Sequence, residues 1–132
     1  GEGGEIVAVE RDAGAVRTGR GLARRAPRPR VRFIAGDVGR TLERLLAGGE
    51  RFDAVVANPP RAGLDRDVPA RLARLAPGRL VLVSCHPATL ARDLARLAEQ
   101  GFRAQAVAAV DMFPQTAHLE LVARLAPPGE ER

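Results

Sequence analysis

The single cysteine of this 132-residue chain sits in the stretch Ser84-Cys85-His86-Pro87, between an apolar run, Leu80–Val83, and a helix-like segment, Pro87–Ala98. A thiol at the mouth of a helix meets free N–H groups and partial positive charge, which favour the thiolate, the nucleophilic form of cysteine. Elsewhere a lone cysteine is usually a small inert hydrophobe, so position is what marks Cys85 as a candidate nucleophile. His86 has no cysteine or second histidine at ligand spacing, which argues against a metal site; a surface role and a substrate contact both stay open for it. Glu120 is the second candidate, a carboxylate within the apolar run His118–Ala123. Burying it unpaired would be costly, so either it points outward by strand alternation or it occupies a site that raises its pKa and readies it for proton transfer.

Three further polar residues close apolar runs. Glu10 follows Ile6–Val9, Asp37 follows Val31–Ile34, and Asn58 opens Asn58-Pro59-Pro60-Arg61 after Ala54–Ala57. Carboxylates at strand ends can accept hydrogen bonds from ribose hydroxyls or an adenine amine, and they can equally cap the next helix. Two consecutive prolines cannot continue a central strand, so the chain must leave the sheet after Asn58 in a rigid bend able to hold a side chain toward a substrate. Arg61, next in line, suits either an RNA phosphate or a surface carboxylate.

The elements that must position these residues alternate. The short, nearly continuous apolar runs Ile6–Val9, Val31–Ile34, Ala54–Ala57 and Leu80–Val83 read as parallel strands buried on both faces. Helical segments follow at Ala13–Arg25 after a capping Asp12, at Arg40–Ala47, at Asp67–Leu75, and at Pro87–Ala98 with proline in the first turn. Ala104–Val110 and His118–Ala123, joined by Asp111–Ala117, predict a closing antiparallel hairpin. The pattern predicts an open α/β sheet of the doubly wound kind, with ligands beyond the carboxyl ends of its strands. Residues 1–126 form one domain on this reading, and 127–132 a flexible tail.

Composition adds less. The net charge is +5, and all 21 basic residues are arginine. That suits a polyanionic partner, although an alanine-, arginine- and glycine-rich composition also follows from base composition alone. One cysteine cannot form an internal disulfide, and no run approaches the ~18 apolar residues of a membrane span, so a reducing cytoplasm is the expectation. A monomer is the default expectation, since the sequence is silent on oligomeric state.

Taken together, Asn58-Pro-Pro-Arg-Ala-Gly-Leu-Asp65, Ser84-Cys-His-Pro-Ala-Thr-Leu-Ala-Arg-Asp93 and Asp111-Met-Phe-Pro-Gln-Thr-Ala-His-Leu-Glu120 resemble, in order and spacing, the RNA (uracil-5-)-methyltransferase family. The likeness runs from Ile6 to Leu125. It implies a Rossmann-like class I methyltransferase sheet, S-adenosyl-L-methionine as cofactor, and tRNA or rRNA as partner. It further implies Cys85 as the nucleophile that adds to carbon 6 of uracil, Glu120 as the base that removes the carbon 5 proton, and Glu10, Asp37 and Asn58 as cofactor contacts. An inert carbon 5 would thereby become an enolate carbon able to accept a methyl group.

Two departures from the family pattern stand out. Asn58 replaces the usual aspartate, exchanging a charged acceptor for a neutral one. The family's additional first strand, with its glycine-rich loop for the methionine part of the cofactor, is not found in Gly1–Gly4, nor is an upstream RNA-binding β-barrel or iron–sulfur segment. Since that strand lies centrally, unpaired backbone or a gap is expected between Ile6–Val9 and Ala54–Ala57. Two other readings stay open: a methyltransferase for exocyclic amines, which would not need Cys85, and a non-catalytic remnant that binds RNA through its arginines.

Overall fold

The computed structural model of the chain describes residues 4–26, 29–112, 115 and 119–129. Strand and helix alternate as β1 (Glu5–Glu10), α1 (Ala13–Ala23), β2 (Arg30–Ala35), α2 (Val38–Ala47), β3 (Ala54–Ala57), α3 (Val68–Leu75), β4 (Arg79–Ser84) and α4 (Pro87–Glu99). The last two strands, β5 (Arg103–Asp111) and β6 (Leu119–Ala126), pair antiparallel, as the hairpin reading requires. Every element read from the sequence is present, with ends displaced by a few residues. His118, expected to begin the last strand, and residues 113, 114, 116 and 117 of the preceding link lie outside the described residues, as do 130–132 of the expected tail.

The chain divides into two compact units, residues 1–45 and 46–132. In the first, β1 and β2 run parallel, with Glu5 beside Arg30 and Glu10 beside Ala35. Helix α1 starts where Asp12 accepts the N–H groups of Gly14 (2.7 Å) and Ala15 (3.0 Å), the capping role read from the sequence. The helix packs on this ribbon, burying Val16 to 1% exposure, a contribution of roughly 1.5–3 kcal/mol for a fully buried valine.

In the second unit the strand order is β3-β4-β6-β5. The β3–β4 pair is parallel, and β4–β6 and β6–β5 are antiparallel. The core gathers around β4 and β6, where Leu80, Leu82, Ala123 and Leu125 are buried, together with Leu72 and Leu75 of α3, Leu90 and Leu97 of α4, and Phe102. Helix α4 lies against β4, β5 and α3.

Burial departs from the expectation of strands covered on both faces. Residues of β4 alternate between buried and half-buried, but β1, β2 and β3 contain no fully buried residue, and Ile6 and Val56 are 47% and 69% exposed. Among the described residues β1 ladders only with β2, and β3 only with β4, so each has an edge without a partner.

Helix α1 offers a test of its packing. A Cβ on Gly19 would lie 2.5 Å from Cε1 and 2.8 Å from Cζ of Phe33, whereas one on Gly21 would meet nothing within 4 Å. Gly21→Ala should therefore stabilise the protein by about 1 kcal/mol through helix propensity. Gly19→Ala should lose that gain to overpacking and destabilise by about 1–3 kcal/mol. Denaturation midpoints that move in the same direction for both variants would contradict this packing.

Candidate functional site

Strand register sets two of the predicted site residues at one end of a strand pair in the second unit. The β4–β6 ladder pairs Leu80 with Leu125 and ends with Ser84 opposite Leu121. Cys85 is the residue after Ser84, and Glu120 the residue before Leu121, so both stand at one end of this strand pair, one step beyond its last rung. Alternation sends Leu80, Leu82 and Ser84 to the buried face together with Ala123 and Leu125. Cys85 and Glu120 fall on the other phase of that alternation. Asn58 leaves the sheet at the same end. Ala57 aligns with Leu82 in the parallel β3–β4 ladder, so Asn58 stands level with Val83. The thiol of Cys85 is exposed and unbridged, Asn58 is exposed, and Glu120 is half-buried.

The turn that carries Cys85 is tightly specified. The buried Ser84 hydroxyl lies 3.2 Å from both the N–H and the carbonyl oxygen of His86, accepting from one and donating to the other. His86, whose role the sequence left open, is the cap of α4: its Nδ1 accepts the N–H of Thr89 at 3.3 Å and lies 3.1 Å from the Thr89 hydroxyl. Pro87 then occupies the first helical turn, where its missing N–H costs nothing. The thiol thus sits one residue before the helix cap.

The loop after β3 is held from α4. Gly63 turns back to donate its N–H to the Pro60 carbonyl at 2.8 Å, with φ at +84°. The Leu64 N–H donates to Oδ2 of Asp93 at 2.9 Å, and Arg92 Nη2 donates to the Ala62 carbonyl at 2.6 Å. Arg92 also grips the other oxygen of Asp93, with Nη2 at 3.0 Å and Nε at 3.3 Å. Sequence reading passed over this pair as motif letters. The signal was there, since Asp93 lies between Leu90 and Leu97 on the buried stripe of α4, where a carboxylate requires partners.

In the first unit, Glu10 and Asp37 close neighbouring parallel strands. Both carboxylates take local backbone bonds, Asp37 as the cap of α2 and Glu10 within the turn that leads to Asp12. Glu10 Oε1 accepts the Asp12 N–H at 2.9 Å, and Asp37 Oδ1 accepts the Arg40 N–H at 3.0 Å. The buried Thr41 hydroxyl donates to the Asp37 carbonyl at 2.7 Å, fixing the same turn. The Arg40 N–H bond holds the Asp37 carboxyl below the usual carboxylate range, against partial loss of water, with Arg11 at 3.4 Å adding to the effect. A carboxylate kept ionised in this way retains acceptor capacity for a hydroxyl or amine. A cavity of about 290 Å³ bordered by Arg20, Arg24, Arg30 and Phe33 lies at the opposite, amino end of β2 and does not include these carboxylates.

Among the described residues, no group of three His, Cys, Asp or Glu side chains could hold a metal ion, and no helix is long and apolar enough to cross a membrane.

Comparison with known proteins supplies the remaining observations. Residues 40–126 match the family model described as tRNA (Uracil-5-)-methyltransferase. An uncharacterized RNA methyltransferase of Geobacter sulfurreducens is 53% identical over 93 residues, covering 70% of this chain and 19% of that protein. The 23S rRNA (uracil(1939)-C(5))-methyltransferase RlmD of Pseudomonas fluorescens is 43% identical over 119 residues, covering 90% of this chain and 26% of that protein. Among solved structures, the Pyrococcus abyssi tRNA (uracil-54, C5)-methyltransferase in complex with S-adenosyl-L-homocysteine superposes with a TM-score of 0.75 at 32% identity, covering 92% of this chain and 29% of that one. The chain therefore spans between about a fifth and three tenths of the length of these relatives.

The Asp37 geometry has a pH consequence. Because its pKa is lowered on folding, the ionised carboxylate stabilises the fold above the ordinary carboxylate range, and this contribution is lost as pH falls through the lowered value. The stability difference between wild type and Asp37→Asn should be widest near neutrality and close on acidification, as read by denaturant midpoints across pH. A difference that stays constant into strong acid would contradict the assignment.

Proposed function

The chain belongs to the tRNA (uracil-5-)-methyltransferase family, and from that premise we propose that it carries the reacting residues of an enzyme that methylates carbon 5 of a uridine in tRNA or rRNA. The observation that supports the reading most is the shared end of β4 and β6, with a thiol one residue past β4 and a carboxylate on neighbouring β6. This chemistry needs both groups beside one base. The enzyme acts in the cytoplasm as a monomer on this reading.

S-Adenosylmethionine, when bound, supplies a methyl group electrophilic enough for an enolate carbon to take. By family resemblance Glu10 and the ionised Asp37 would accept from its ribose hydroxyls and adenine amine, and Asn58 is the further residue that the resemblance assigns to it, with a neutral amide acceptor. Cys85 adds its sulfur to carbon 6 of uracil, and the electron pair of the 5,6 double bond moves onto carbon 5 and the carbonyl at carbon 4. After methylation, Glu120 accepts the proton of carbon 5. The electrons of that C–H bond re-form the double bond and expel the Cys85 thiolate, so the enzyme regains its starting state once Glu120 releases its proton.

The full-length gene product, incubated with 5-fluorouridine-containing RNA and S-adenosylmethionine, should form a covalent complex, because fluorine at carbon 5 cannot leave as a proton. Mass spectrometry should place the bond on Cys85, and Cys85→Ala should abolish it. With ordinary RNA, Glu120→Gln should still form the covalent species but release it about 10²–10⁴-fold more slowly. Methyl transfer undiminished in Cys85→Ala would overturn the proposal in favour of an amine methyltransferase. Salt-dependent RNA binding without any methyl transfer would favour a non-catalytic RNA-binding role.

A further inference from the structure

We infer that Arg92 and Asp93 are a positioning pair, locking the Asn58–Asp65 loop to the helix that follows Cys85 and so setting the two sides of the reacting end against each other. The inference rests on the functional reading above and assigns to it two residues that touch neither substrate nor cofactor. Asp93 is 1% exposed, and both its oxygens are used: one accepts the Leu64 N–H, and the other faces the Arg92 guanidinium. Arg92, with its side chain 42% exposed, extends the grip to the Ala62 carbonyl. Donor and acceptor of the loop backbone on either side of Gly63 are therefore both taken by adjacent residues of α4.

The lock has no slack. Gly63 has a left-handed φ of +84°, and a Cβ there would collide with Asp93 Oδ2, Arg92 Nη2 and Thr89 Cγ2. Thr89 is also the residue whose N–H reaches His86, so the helix turn that receives the loop is the turn that fixes the Cys85 corner. A buried carboxylate is an expensive way to hold a loop that only had to cover the core. Its geometric specificity matters if Asn58 and Arg61, on the same loop, must be held in a fixed relation to the thiol, because catalytic geometry degrades steeply with small displacements.

Two substitutions break the lock from opposite sides, Asp93→Asn from the helix and Gly63→Ala from the loop. A third, Arg92→Lys, keeps the charge at a partly exposed position and loses the fork. Phe102→Leu, a buried change outside the loop, serves as the stability control. In the full-length gene product, hydrogen exchange of the 58–65 segment should rise roughly tenfold in each lock variant and not in the control. Turnover with RNA should fall on the order of 10²-fold in Asp93→Asn and Gly63→Ala, and less in Arg92→Lys. The Asp93→Asn/Gly63→Ala double variant should be no slower than the worse single, since both remove one element. Unchanged loop exchange, or full turnover with a loosened loop, would overturn the inference, as would fully additive losses. If Asp93→Asn fails to fold, Arg92→Lys decides by the same two readouts. A wild type that transfers no methyl group to uridine would defeat the functional reading instead; loop exchange would then decide the lock alone, unchanged exchange overturning it and loosened exchange supporting it.

Discussion

Strand β4 is the constraint on which the second unit depends. It pairs in parallel with β3 on one side and antiparallel with β6 on the other, and its buried leucines anchor the core beneath α4. Because the ladder to β6 is antiparallel, the carboxyl end of β4 must meet the amino end of β6. Residues separated by 35 positions in the chain, Cys85 and Glu120, are thereby brought to one end of the sheet by backbone pairing alone. A slip of one residue in that register would turn the wrong side chains to each face, and the buried set Leu80, Leu82, Ala123 and Leu125 penalises such a slip.

Local devices then sharpen what the ladder sets coarsely. Ser84 and His86 fix the corner that exposes the thiol, and Arg92 and Asp93 hold the loop that follows β3. Each uses a buried or capping polar group with a dedicated partner, the condition under which polar atoms in an interior are tolerated. The first unit uses the same economy at Asp37, where one carboxylate both caps a helix and stays ionised.

Much of this was legible in the sequence, for identifiable reasons. Short apolar runs punctuated by Gly, Pro and charged residues located all six strands seen among the described residues, and Asp12 and Pro87 marked two helix starts by the mechanism the structure displays. Placing Glu10, Asp37, Asn58 and Cys85 at strand ends followed from the alternation. Two things were not legible. The burial of β1 and β3 was overread, because a continuous apolar run looks the same whether or not both faces of its strand are covered, and Val56 is in fact largely exposed. The capping role of His86 and the part played by Asp93 were not read because their partners, Thr89 three residues on and Leu64 some thirty residues back, are defined by a cap geometry and a tertiary contact that no one-dimensional period encodes.

On the proposed reading, carbon 5 of uridine is the atom that gains a methyl group and loses a proton. RNA carrying tritium at carbon 5 of its uridines, incubated with the full-length protein and carbon-14-labelled S-adenosylmethionine, tests it directly. Tritium should appear in water one for one with carbon-14 entering the RNA. Carbon-14 incorporated with the tritium retained would place the methyl group on another atom and overturn the carbon 5 assignment.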